Sequence, residues 1–489
     1  MDDLFSDSDP EYRATRVRSG IPPPSIRDQR RQQHQQRQVG DLSRYNPSMR
    51  HQQRYSPYSQ SDDRRQTNYH KSYSNDQRYP QQQQQRHPEQ ADHRPQRPPS
   101  QAVQSKAKTV DLRTSTDFLQ CQQRLSLEEI VYAIQQEKHI ADVDYDFLSS
   151  KGLVEKVNQL RERIRHVSTE QRSRARCKSN PFERVGNAIF MNRAATKLAA
   201  LDATFGLTVT KNHREEFIFA DICGGPGGFS EYLLWRVHSW GGSAHGYGIT
   251  LNGSDEIKWH PERFIDDIPR HSLTTIDGVD GTGDLYRSEN RESFASTVLK
   301  ETKQGGVHVV VADGGFDFSG NEKQQEVVAQ RLILCEIITM LLTLKQGGHF
   351  VCKFFDMLST TTASFVWLLY QLFDEVCITK PLSSRPANAE RYIVCKGLIH
   401  HRPTALISLL SDIASQSTCP SLFSRKRLEN DEDFIDYIKM RNMKLTMKQT
   451  EALEQLVFFV DNPEAPSVYD QEQIKRACLS EWRLPLSSD

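Results

Sequence analysis

The chain has 489 residues with 63 Lys+Arg against 63 Asp+Glu, so the formal net charge is zero and overall charge carries no signal about nucleic acid. Nine cysteines, none in a CxxC pair and several inside apolar runs, exclude a disulfide framework and a zinc site and fit a reducing compartment. The polar start MDDLFSDSDPEYR is no secretory signal, and no apolar run approaches the ~20 residues that span a bilayer, so a soluble intracellular protein without membrane contact is expected.

Residues 1–110 are rich in Gln, Arg, Pro, Ser, His and Tyr and nearly devoid of aliphatics. They cannot bury enough apolar area to offset chain entropy, so a disordered tail is expected. Its Arg residues, interleaved with Tyr and His, could touch RNA by charge and stacking, or the tail could be a solubilising linker. Residues 111–184 read as a helical, basic extension. LSLEEIVYAIQQEKHI and SSKGLVEKVNQLRERIRHV carry apolar residues at helical spacing, Ser126 with Glu128 and Glu129 marks a helix start, and Pro181 ends the basic stretch RSRARCKSNPFER.

Residues 185–400 alternate strand and helix. FIFADICGG is a strand entering a Gly-rich turn and a helix, and AHGYGITL is a second strand. A helix over roughly 290–303 precedes the strand GVHVVVADGG. After the long helix EKQQEVVAQRLILCEIITMLLTL come the strand GGHFVCKFF, the helix TTASFVWLLYQLF and the strands EVCITKP and RYIVCKGL. This order implies an α/β fold: a Rossmann-like sheet with helices on both faces. The last two strands lack a crossover helix and should pair as an antiparallel hairpin at one edge. Residues 401–489 are mostly helical and read as a small C-terminal appendage.

The turn Asp221-Ile222-Cys223-Gly224-Gly225-Pro226-Gly227-Gly228-Phe229 lies where a doubly wound sheet binds ligands. A dinucleotide site would prefer GxGxxG. GGPGG stiffened by proline favours a smaller cofactor with an aminoacyl end, such as S-adenosylmethionine, whose amino group Asp221 could meet. A bare tight turn is the alternative, against which the glycine density counts. In a second loop, Asp277–Leu285, Asp284 suits an adenine amino group, unless the loop is an acidic surface turn.

Four charged residues sit at or beside strand ends: Asp313 in VVVADGG, Lys353 in GGHFVCKFF, Glu390 before the last strand, and Lys197 on the amphipathic segment FMNRAATKLAALD. Unpaired charges in apolar strands are costly, so the set is expected to converge at one rim. A ribose 2′-hydroxyl is a poor nucleophile that must be aligned and deprotonated. Lys353 is the candidate base, helped if burial and a neighbouring lysine lower its pKa. Lys197 and Glu390 would steer it, and Asp313 would sit by the methyl group. Taken singly, each could be a rim ion pair of little worth.

DICGGPGGFSEYLLWR, ADGG, the CK strand end and SRPANAERYIVCKG resemble the FtsJ/RrmJ-type 2′-O-methyltransferases with a K-D-K-E tetrad. More narrowly, FMNRAATKLAALD, ADGGFDFSG and KPLSSRPANAERYIVCKG are similar to the cap-specific mRNA (nucleoside-2′-O-)-methyltransferase 1 family, from about Arg174 onward. The resemblance implies S-adenosylmethionine-dependent methyl transfer to the first transcribed nucleotide of m7G-capped mRNA, giving cap 1, with no metal. It assigns Lys197, Asp313, Lys353 and Glu390 to catalysis. Asn192, Cys223, Gly224, Gly225, Pro226, Gly227, Gly228, Phe229, Asp284 and Leu285 fall to the cofactor, and Arg176, Lys323, Gln324, Gln325 and Asn388 to the RNA. It also implies a nuclear location and the transcription or capping machinery as a further candidate partner. The first 110 residues lack the G-patch glycine pattern of animal members, and the chain stops at RLPLSSD, before their guanylyltransferase-like and WW domains would begin. Docking to the phosphorylated polymerase tail through a WW domain is therefore left open. GITLN lacks the acid that many methyltransferases place on the cofactor ribose. The alternatives are a cap 2 or other RNA 2′-O-methyltransferase, and a non-catalytic RNA-binding scaffold, against which the intact tetrad argues.

Overall fold

The computed structural model describes residues 109–140, 144–187, 189–210, 215–269, 271–316 and 322–486. The expected disordered tail lies outside them except for its last two residues.

The helix start read at Ser126 is a capping box. Ser126 Oγ accepts from Glu129 N at 3.2 Å, and Glu129 Oε2 accepts from Ser126 N at 2.8 Å, satisfying two donors that a helix end leaves open. Helix α1 (Leu127–Glu137) follows, then α2 (Tyr145–Leu148), α3 (Lys151–Arg165) and α4 (Thr169–Ser179), which stops two residues before Pro181. Helix α4 buries only Ala175, so most of its basic face is solvated. Helix α5 (Arg193–Phe205) ends on Gly206 at φ 65°, a left-handed position that favours glycine.

The alternating core follows: β1 (Phe217–Ile222), α6 (Gly228–Ser239), β2 (Ala244–Ile249), β3 (Leu273–Thr275), α7 (Ser288–Glu301), β4 (Val307–Ala312), α8 (Gln325–Thr343), β5 (Leu344–Phe355), α9 (Thr360–Leu372), β6 (Phe373–Thr379) and β7 (Glu390–Leu398). They build a seven-stranded sheet in the order β3-β2-β1-β4-β5-β7-β6. The first five strands run parallel, while β7 is antiparallel to both β5 and β6. The antiparallel pair expected at one edge is therefore present, with β6 outermost and β7 inserted beside β5.

Side-chain alternation splits the core. In β4, Val307, Val310 and Ala312 join one apolar cluster with α8 and α9, while Val309 and Val311 join another with α5 and α6. Every β4 residue is buried, as a central parallel strand covered on both faces requires.

The C-terminal region is helical as expected: α10 (Thr404–Ala414) and α11 (Arg425–Glu429) lead into one long helix, α12 (Glu432–Asp461), with α13 (Gln471–Glu481) beyond it. No glycine or proline interrupts α12. Buried polar contacts bind it to the core. Tyr437 Oη accepts from Ile378 N at 2.8 Å and donates to Asp117 O at 2.9 Å. Asn442 Nδ2 donates to Leu148 O at 3.0 Å and Met357 O at 2.8 Å, and its Oδ1 accepts from Arg391 Nη1 at 2.8 Å.

Asn442→Ala strips three buried groups of their partner at once. We expect it to lower stability by about 3 kcal/mol, read as a reduced urea midpoint at unchanged slope. A midpoint equal to that of the wild type would contradict this account.

Candidate active site

Strand β1 turns sharply at its carboxyl end. Cys223 has φ 56° and Gly227 φ 119°, so both lie in the left-handed region. A Cβ on Gly225 would stand 1.9 Å from Ile257 O, and one on Gly228 would stand 2.1 Å from Asn192 Oδ1. Close approach of this chain's own atoms thus demands glycine at both positions. The density of glycine therefore has a packing cause, and the step from density alone to a ligand does not hold. Asn192 caps α5 by accepting from Ala194 N at 2.9 Å while abutting Gly228, which places it beside the turn as expected. Pro226 O accepts from His260 N at 3.1 Å. The Phe229 side chain points into the core, its ring 6.4 Å from that of Tyr392.

Asp221 is fully buried. Its Oδ2 accepts from Ser230 N at 3.0 Å and Ser230 Oγ at 2.7 Å, while Oδ1 has no hydrogen-bond partner. Burial pushes this carboxyl up to about 7.

The second loop is joined to the turn through Thr250. Thr250 Oγ1 accepts from Gly225 N at 3.3 Å, and a Cβ on Gly283 would stand 1.8 Å from Thr250 O. Buried Asn290 organises this loop. It accepts from Val279 N at 2.9 Å and donates to Asp280 Oδ1 at 2.9 Å and Asp284 O at 3.1 Å. Asp284 Oδ1 accepts from Tyr286 N at 2.8 Å, and the Leu285 side chain is buried in the core.

The four strand-end charges converge in an alternating row. Lys353 Nζ lies 3.0 Å from Asp313 Oδ1 and donates to Asp313 O at 2.9 Å. Lys197 Nζ lies 3.8 Å from Asp313 Oδ2 and 2.7 Å from Glu390 Oε2. Register explains the meeting: Ile222 pairs with Ala312, Ala312 with Cys352, and Phe355 with Glu390, so the turn and the row share one rim. Burial alone would raise the Glu390 carboxyl, but Lys197, Lys353 and Lys380 outweigh it and hold it at about 2.

The residues expected to meet RNA lie in three separate segments of the chain. Arg176 Nε lies 3.1 Å from Glu183 Oε1, which also takes Arg385 Nη2 at 3.1 Å and Arg193 Nη2 at 3.3 Å. Three guanidiniums on one carboxylate leave an excess of two positive charges. Lys323 is exposed, 3.7 Å from Glu162, in the turn that leads through Gln324 to Gln325 at the start of α8. Asn388 is exposed, two residues before Glu390.

Sequence reasoning missed four contributors. Tyr392 Oη donates to Asp313 Oδ1 at 2.6 Å and lies 3.3 Å from Lys197 Nζ. It shares a strand face with Glu390, a period-two signal that could have found it. Ser384 Oγ donates to Glu390 Oε1 at 2.6 Å, and Lys380 Nζ donates to the Glu390 carbonyl. Glu336, fully buried in α8, accepts from Gly314 N at 3.1 Å and from Cys352 Sγ at 3.4 Å, so one carboxylate ties the neighbours of Asp313 and Lys353. An acid in the middle of the apolar run LILCEIITMLLT was its signal.

Because the folded pKa of Glu390 is depressed, its contribution to stability is present above the unfolded value of about 4.3 and is lost as pH falls toward about 2. The stability gap between wild type and Glu390→Gln should therefore be constant from pH 7 to 5 and shrink below that, as read from urea midpoints. A gap independent of pH would contradict the assignment.

Residues 190–398 match the family described as FtsJ-like methyltransferase. The chain is 37% identical over 331 residues to cap-specific mRNA (nucleoside-2′-O-)-methyltransferase 1 of Dictyostelium discoideum, covering 64% of this chain and 43% of that protein. The human protein of the same name is 34% identical over 377 residues, covering 72% of this chain and 44% of its own length. The Drosophila melanogaster protein of that name is 36% identical over 340 residues, covering 65% and 42%. The chain thus spans less than half the length of these curated relatives. With the glycine turn and the charged row both inside the matched segment, the chain belongs to the FtsJ-like methyltransferase family, in the group whose curated members are called cap-specific mRNA (nucleoside-2′-O-)-methyltransferase 1.

Proposed function

We propose that this protein transfers a methyl group from S-adenosylmethionine to the ribose 2′-hydroxyl of the first transcribed nucleotide of m7G-capped mRNA. The observation that carries the reading is the row Lys353–Asp313–Lys197–Glu390 beside the glycine turn. The names of the curated relatives support the substrate class, and the two excess positive charges around Glu183 suit a polyphosphate or RNA backbone at the same mouth.

The chemistry of the turn fits the cofactor. Asp221 Oδ1 is a buried acceptor without a partner, lying against Gly224, and an aminoacyl ammonium would satisfy it. Asn192 and Cys223–Phe229 would hold that end, and Asp284 with Leu285 the adenine. Bound there, S-adenosylmethionine supplies an already electrophilic sulfonium methyl group.

The protein's own task is alignment and proton removal. Lys353 Nζ would take the proton of the 2′-hydroxyl, so that the oxygen could bond to the methyl carbon and the C–S bonding pair would leave with the sulfur as a neutral thioether. To do so it must be neutral, and a carboxylate 3.0 Å away opposes that. Asp313 is, however, shared with Lys197 and the Tyr392 hydroxyl, which weakens its hold on Lys353. Glu390 fixes Lys197, so the second ammonium stays close enough to disfavour charge on the first.

The test uses labelled S-adenosylmethionine with m7GpppN-RNA, unmethylated GpppN-RNA or uncapped RNA, followed by mapping of the labelled ribose. Label on the first nucleotide of m7GpppN-RNA is expected, whereas label on the second nucleotide, or on uncapped RNA, overturns the cap 1 assignment. Lys353→Ala should lower turnover by roughly 10²–10⁴-fold with cofactor binding by calorimetry nearly unchanged. Near-normal turnover would remove Lys353 from the role of base.

A further inference from the structure

The loop between β6 and β7 carries a lysine that the reaction does not use. Lys380 Nζ donates to three oxygens of one short stretch: Asn388 Oδ1 at 2.6 Å, Asn388 O at 3.2 Å and Glu390 O at 2.5 Å. An ammonium has three protons, so these contacts use its donor capacity in full. Asn388 Oδ1 also accepts from Glu390 N at 3.2 Å. Two donors therefore converge on the carboxamide oxygen, which fixes the amide by its hydrogen-bond network with oxygen inward. The exposed edge of Asn388 is then its NH2 group, a pure donor at the rim where Glu390 holds Lys197.

We propose that Lys380 is a positioning residue that orients Asn388 to recognise a hydrogen-bond acceptor on the RNA, and that it anchors the Glu390 backbone under Lys197. The inference rests on the functional reading above and deepens it, because it states the polarity of one substrate contact. Three kinds of acceptor on a capped RNA end fit a donor edge: phosphate oxygens, ribose oxygens and base carbonyls. A group that only donates does not.

Polarity gives the sharpest test. Asn388→Asp keeps the shape but replaces the outward donor with a carboxylate oxygen. The same change pairs a carboxylate with Lys380, so thermal stability should hold or rise. We expect the Kd of m7GpppA-RNA, measured by fluorescence anisotropy with S-adenosylhomocysteine present, to rise at least tenfold in Asn388→Asp. Asn388→Ala should show a smaller rise, and S-adenosylhomocysteine affinity should be unchanged in both. Lys380→Met should raise the RNA Kd and lower kcat, with Lys380→Arg recovering part of each because it still donates. Asp binding RNA as well as Asn does, or Asp weakening it less than Ala, overturns the donor assignment. A Lys380→Met enzyme with normal Kd, kcat and pH profile overturns the positioning role, as does a loss that Lys380→Arg fails to relieve. These failures are read on an active wild type. A wild type that methylates no RNA overturns the functional reading and this inference with it.

Discussion

Two ammonium groups and two carboxylates are packed at one sheet rim with side-chain exposures of 5–13%, and at such burial none could stay charged alone. The arrangement is tolerable because the signs alternate and sum to zero. Removing any member leaves an uncompensated charge in a poorly solvated place, so all four positions constrain one another. Sharing Asp313 among Lys353, Lys197 and Tyr392 dilutes that carboxylate's pull on any one of them.

Holding the row in place takes more than the sheet. Lys353 lies near the end of β5, and just beyond it Asp356 and Met357 occupy consecutive left-handed conformations, at φ 51° and 62°. Each costs of order 1–3 kcal/mol for a residue other than glycine. The surroundings over-determine them. Asp356 pairs with Arg161 of α3 at 3.0 Å and lies 3.8 Å from Arg391, while Asn442 of α12 grips the Met357 carbonyl at 2.8 Å. The N-terminal helical extension and the C-terminal helix therefore both contribute to the rim, although neither carries a residue of the charged row. Glu336 completes the support from behind the sheet.

What the sequence made legible was whatever declares itself locally. Strand and helix alternation, the capping box at Ser126, the stop before Pro181 and the glycine turn all rest on neighbouring residues. The four charges were legible because a charge next to an apolar strand needs a reason. Asn290, at the start of α7, and Ser384 and Lys380, in the β6–β7 loop, were not, since polar residues at such places are ordinary until their partners are known. Arg161 and Asp356 are separated by 195 positions, and no local pattern could join them. Tyr392 was within reach, but the large apolar ring in a buried strand concealed a hydroxyl that bridges two members of the row.

In the glycine turn, Ile257, Asn192 and other atoms of the chain occupy the space a Cβ would take at several positions. Tight self-packing and ligand binding are compatible, because the former fixes the backbone against which the latter occurs. What points to a ligand is instead Asp221. A carboxylate oxygen left without any hydrogen-bond partner at zero exposure is expensive, and its twin is fully engaged by Ser230. Folding alone gives no return for that arrangement. A cationic amino group brought by a cofactor would, and it would draw the carboxyl back from about 7 toward its usual range.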